Sequence, residues 1–178
     1  MVISRKVLWG AGLCMLALVV SLIYLYATRT TIAYIDSVRL FEEYTMKKEL
    51  QQKLETKKQT GSRQLDSMKI ELQKYYEWLV HKKVKDGSPE AIEYFKREQM
   101  YFSYEKDFQD QIESLSAQYT SEVWKQLNQY IQEYGAKHSY DYIMGAKGDG
   151  NLMYAHTAND LTDELLKYVN ARYEGEQE

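Results

Sequence analysis

Cysteine and proline are nearly missing from this 178-residue chain, which has one of each. The one cysteine, Cys14, sits inside an apolar N-terminal stretch, so the rest of the chain builds neither a disulfide framework nor a thiol mechanism. The one proline, Pro89, falls between two long periodic runs and interrupts neither. Histidine is scarce: His81, His138 and His156 are far apart and lack metal-ligand spacing. Positive charge is not in surplus. The 23 Lys and Arg stand against 26 Asp and Glu, a net charge of −3. Nucleic acid is therefore not expected as a partner, because phosphate binding needs a cationic surface. Glu42 and Glu43 have no partner nucleophile, no Ser-His-Asp set can be assembled, and Gly148-Asp149-Gly150 reads as a turn without a phosphate-binding fingerprint. No enzyme activity, catalytic residue, metal or cofactor is expected.

Residues 7–27 form a nearly unbroken apolar run after Arg5 and Lys6. About 20 such residues span a bilayer, longer than a usual signal-peptide core. We read residues 1–29 as a signal anchor with its N-terminus in the cytoplasm and the remaining chain exported. A cleaved signal peptide is the alternative reading.

Two helical runs dominate the exported chain. The first covers about 46–85, with a seam of Leu65, Met68, Leu72, Tyr75 and Leu79 at alternating steps of three and four. Between Leu54 and Leu65 the seam is interrupted around Gly61, where a flexible or bent place is expected. The second covers about 90–138, with an apolar stripe from Ile92 to Tyr134. Asp86-Gly87-Ser88-Pro89 joins them: Gly87 suits a left-handed helix end, Ser88 an N-cap and Pro89 a first helical position. The first run is rich in Lys and the second in Asp and Glu, so antiparallel pairing is expected to bring opposite charges together.

Short elements flank the hairpin. Residues 31–35 read as a strand, with Asp36 or Ser37 capping a small helix. Residues 140–145 and 151–155 read as two strands of a β-hairpin, and Asp160 caps a last helix. The fold expected is mainly α with a small β body: 30–45 and 139–173 form a strand-containing oligomerisation domain, and 46–138 form a long antiparallel coiled-coil prong inserted in it. Residues 174–178 read as a disordered tail. A body this small has a thin core, so self-association is expected, with Ile32, Ile35, Phe41, Ile143, Met153 and Leu165 as its candidate residues.

The far half of the prong is unusually aromatic: Tyr75, Tyr76, Trp78, Tyr94, Phe95, Tyr101, Phe102 and Tyr104. Adjacent rings cannot both enter one seam, so some must face outward. Tyrosine joins an apolar face to a hydrogen-bonding tip and suits contacts with varied partners. These eight are the candidate partner-contact residues. Seam packing plus scattered surface tyrosines is the plain alternative.

The stretch IAYIDSVRLFEEY, the paired long helices and YDYIMGAKGDGNLMYAHTANDLTDELLKYVN together resemble the Skp/OmpH family of periplasmic chaperones. The resemblance covers residues 32 to about 173 and rests on the order of elements and on both flanks. It implies a homotrimer whose prongs surround a cavity, holding unfolded outer-membrane β-barrel proteins without ATP. It also implies the periplasmic side of a Gram-negative envelope. The chain would be tethered to the inner membrane if residues 1–29 are retained, and soluble in the periplasm if they are cleaved. Two features depart from the family: the chain is mildly acidic, and its apolar N-terminal segment looks retained. A structural coiled-coil subunit that docks one envelope partner is the alternative function.

Overall fold

The computed structural model describes residues 14–21, 24, 29–148 and 150–175. Residues 14–21 are helical and exposed; most of the segment read as an anchor lies outside the described residues. Among the described residues, no helix is long and apolar enough to cross a membrane.

Strand β1 (Ile32–Asp36) carries β-branched and aromatic residues and buries alternate positions, Ala33 and Ile35. It ends on Asp36, whose Oδ1 accepts from the backbone N–H groups of Val38 at 3.0 Å and Arg39 at 2.9 Å. That cap starts helix α1 (Ser37–Glu43). One extended residue, Tyr44, separates it from helix α2 (Thr45–Lys82), and helix α3 (Pro89–Lys137) returns antiparallel. At 1.5 Å per residue these arms are about 57 Å and about 74 Å long. Ser88 Oγ accepts from Ala91 N–H at 3.1 Å, and Pro89 takes the first helical turn, as the sequence led us to expect.

The structure differs from two local expectations. The left-handed end of α2 is Lys83 (φ 50°), not Gly87; Gly87 (φ 80°) takes a positive φ later in the loop. And α2 runs unbroken through Gly61, which is the buried residue of that helix. The glycine is there for packing: a Cβ on it would fall 2.1 Å from Cε2 of Phe108 on α3.

Strand β2 (Tyr142–Ala146) pairs parallel with β1, Ile32 opposite Tyr142 and Asp36 opposite Ala146. Parallel strands need a long crossover; here the crossover is the whole helical hairpin. The β-hairpin expected over 140–145 and 151–155 is not formed, because 151–155 carries no strand. β2 occupies one edge of β1, and the other is bridged by Asp160, with Leu161 N–H donating to Tyr34 C=O at 2.9 Å. The chain after β2 therefore passes to the far edge of β1 instead of doubling back. A 3-10 turn, Thr157–Asn159, leads to helix α4 (Thr162–Glu174). Its N-cap is Leu161, not Asp160 as the sequence suggested, and no side chain caps it; Asp160 lies one residue earlier, its Oδ1 accepting from Thr162 N–H at 2.9 Å.

The core sits where β1, α1, α4 and the body end of α3 meet. Leu40, Tyr44, Val123, Leu127, Leu165 and Val169 are its most buried side chains. The last turn of α4 also fastens both roots of the prong. Asn170 Oδ1 accepts from Thr45 N–H at 2.8 Å, Tyr173 Oη donates to Glu49 at 2.8 Å, and Arg172 bonds Glu133 at 3.2 Å. Glu174, assigned to the tail from the sequence, is the final residue of α4, and its carboxylate accepts from Thr45 Oγ1 at 3.1 Å.

Candidate functional site

Beyond residue 60 of α2 and before residue 115 of α3 the arms touch no part of the body core, so their side chains either fill the seam or face out. The eight aromatic residues divide between the two. Tyr75, Tyr94, Tyr101 and Tyr104 are half-buried in the seam, while Tyr76, Trp78, Phe95 and Phe102 are exposed. Each adjacent pair is split, as helix geometry demands: Phe95 is 60% exposed beside Tyr94, and Phe102 57% beside Tyr101.

The seam rings are pinned by their hydroxyls. Tyr94 Oη donates to Glu98 at 3.4 Å and Tyr101 Oη to Glu105 at 3.3 Å. Burial first, then the neighbouring carboxylate, raises both tyrosines above their ordinary pKa, so they remain donors. Tyr75 Oη reaches across to Glu90 C=O at 3.4 Å, and Arg97 lies over the Tyr75 ring at 4.8 Å. The outward rings lean on these: Trp78 stacks on Tyr75 with centroids 5.6 Å apart, Tyr76 meets Tyr94 at 5.6 Å, and Phe102 meets Tyr101 edge-on at 5.4 Å. The result is a row of apolar faces held on a fixed rod and left without cover.

Sequence reasoning missed part of the row. Ile70, Val80, Ile92 and Met100 are also exposed on this half. Ile70, Val80 and Met100 lie one or two residues off the seam positions, which is the signal that could have found them; Ile92 was read as the start of the apolar stripe and is exposed instead. Two grooves accompany the surface. One of about 460 Å³ lies at the tip between Tyr76, Val80, Tyr94 and Phe95. Another of about 830 Å³ lies beside Phe108, Ile112 and Ala117, where the seam of α2 is interrupted.

The six residues assigned to an oligomerisation surface separate as well. Ile35 and Leu165 are buried in the protomer's own core, and Phe41 and Ile143 pack against it. Ile32 is 48% exposed and Met153 86% exposed. Paired residues of a parallel sheet point to one face, so Ile32, Tyr142 and Met144 share the outer face of the two-stranded sheet and leave it apolar and open. The expected charge pairing between arms is not made: among the described residues every ion pair lies within one arm or involves the body. The three histidines stay apart; His138 stacks on Tyr134 at 4.0 Å, and His156 Nδ1 accepts from Ala158 N–H at 3.1 Å. Among the described residues no group of His, Cys, Asp and Glu is arranged to hold a metal ion.

Residues 31–169 match the family model described as outer membrane protein (OmpH-like). Among solved structures, the chain is similar to an OmpH-like protein of Caulobacter crescentus CB15 described as an outer membrane chaperone. The TM-score is 0.61 and the identity 18%, over 82% of this chain and 86% of that one. No curated protein matches.

Proposed function

Because the chain belongs to the OmpH-like family, we propose that it is a periplasmic chaperone for outer-membrane proteins and works as an ATP-independent holdase. The observation that carries this reading is the uncovered row of Tyr76, Trp78, Phe95 and Phe102 on the far half of the prong. A soluble protein rarely exposes contiguous apolar surface unless something binds there. Burying one such side chain contributes about 1.5–3 kcal/mol, too little alone to trap a client. Several contacts from several prongs raise the effective concentration and hold an unfolded chain without fuel. Release follows when the client buries its own apolar surface by folding or insertion.

In this reading the body self-associates, as a homotrimer, through the open outer face of the sheet at Ile32, Tyr142 and Met144, and the prongs surround the client. Residues 7–27, if retained, tether the assembly to the inner membrane, close to where clients emerge. The test is an aggregation assay with several unrelated unfolded β-barrel proteins. Protection of all of them at near-stoichiometric ratio is expected; protection of none would replace the holdase with a subunit docking one envelope partner.

A further inference from the structure

The two arms carry opposite net charge. α2 has nine Lys and Arg against five Asp and Glu, whereas α3 has five against nine. Within a protomer this complementarity is left unused, since no ion pair among the described residues joins the arms. Lys53, Lys57, Lys69 and Lys74 on α2, and Asp107 and Asp110 on α3, are exposed and have no hydrogen-bond or ion-pair partner. Each prong is thus a rod pair of one arm with a basic surplus and one with an acidic surplus.

We infer that the partner of these arms is the prong of a second copy, the basic α2 flank of one lying beside the acidic α3 flank of the next. This rests on the ring-like self-association proposed above. Symmetry supplies the reason. In a closed ring every contact is between unlike patches, so the α2 flank of one copy meets the α3 flank of the next at each of them. The attraction is spread over many exposed charges, each contributing weakly, and it fades within a screening length of about 8 Å at physiological salt and about 3 Å at 1 M. The flanks form a salt-sensitive latch that draws the prongs together when the enclosed space is empty and yields to a bulky guest.

The experiment uses the full chain carrying Cys14→Ser and a spin label at Lys85→Cys near the tip, with distances measured between copies. At low salt the distribution should be short and narrow; at about 1 M salt, where screening is complete within about 3 Å, it should lengthen and broaden. Asp107→Lys with Asp110→Lys should give the long distribution already at low salt, with helicity unchanged. Adding Lys53→Glu and Lys57→Glu should restore the short one. An assembly whose distances respond neither to salt nor to reversal overturns the latch and leaves the chaperone reading intact. Absence of any dipolar signal between copies overturns the ring and the latch together.

Discussion

The ring of Phe108 lies against the backbone of Gly61, so close that a methyl group on the glycine would sit 2.1 to 2.8 Å from three of its atoms. An isolated helix would gain about 1 kcal/mol from alanine at this position. In the prong the sign should reverse. Gly61→Ala is expected to lower stability by about 1–3 kcal/mol through overpacking, measured by thermal or denaturant unfolding. Phe108→Ala placed in the same chain should remove the penalty of the added methyl. If Gly61→Ala raises stability, the contact does not fix the pairing of the arms.

The split between seam and outward rings separates two phenotypes. Replacing Tyr76, Trp78, Phe95 and Phe102 together by serine should abolish protection of unfolded clients while far-UV helicity and melting temperature stay near the parent values. Replacing Tyr75, Tyr94, Tyr101 and Tyr104 should instead melt the far hairpin, at about 1–3 kcal/mol for each half-buried ring. Equal client protection by parent and outward variant would dismiss the outward row as the binding surface.

Tyr44 is fully buried at the joint between α1 and α2, and its hydroxyl has no hydrogen-bond partner. Burial foremost, with Tyr130 and Tyr173 nearby, pushes this phenol well above its ordinary pKa. Removing the orphan oxygen costs no hydrogen bond, so Tyr44→Phe should be neutral or stabilising by up to about 1 kcal/mol. Tyr44→Ala should cost about 3–5 kcal/mol by opening a cavity. Chemical unfolding of both variants distinguishes the ring from its hydroxyl.

Asp160 ties α4 to β1, and its carboxyl is held below the usual aspartate range, first by the Thr162 hydroxyl and also by Tyr34 and Arg39. A lowered folded value means that the charged form is the stabilised one. Its contribution is fully present above the ordinary aspartate pKa of about 4, and is lost as pH falls through the folded value. Asp160→Asn should therefore flatten the fall of stability on the acid side, with little change in the slope near neutrality. A parent and variant with parallel stability curves below about pH 4 would remove Asp160 from the acid response.

Much of this architecture was readable from local chemistry. The caps at Asp36 and Ser88, the first-turn proline and the three-four spacing of the arms act within a few residues, and all appear where the sequence put them. Most misreadings concern partners distant in the chain; the left-handed end of α2, at Lys83 rather than Gly87, is a local one. Gly61 looked like a weak point because its reason, Phe108, lies on the other arm. Residues 151–155 have strand-like composition, but they lie on the crossing from β2 to the far edge of β1, where Asp160 bridges Tyr34. Lys-rich and acidic arms suggested ion pairs, yet net charge does not specify which face each side chain takes. The aromatic row was visible as composition, and the i, i+1 rule foresaw that one ring of each pair would turn outward; the same rule covers Val80 beside Leu79 and Met100 beside Tyr101, while Ile92 read as a seam residue.

The parallel pairing of Ile32 with Tyr142 also dictates an order of events. Nothing in β1 can find its neighbour until more than half the chain has been made and turned back on itself. Closing so long a loop in an open coil is slow, but the arms can zip from their own turn outward through contacts near in sequence. That zipping carries the two distant segments to within reach of each other. The prong is thus the scaffold on which its own base is completed, and a chain whose turn fails to nucleate would be left with neither.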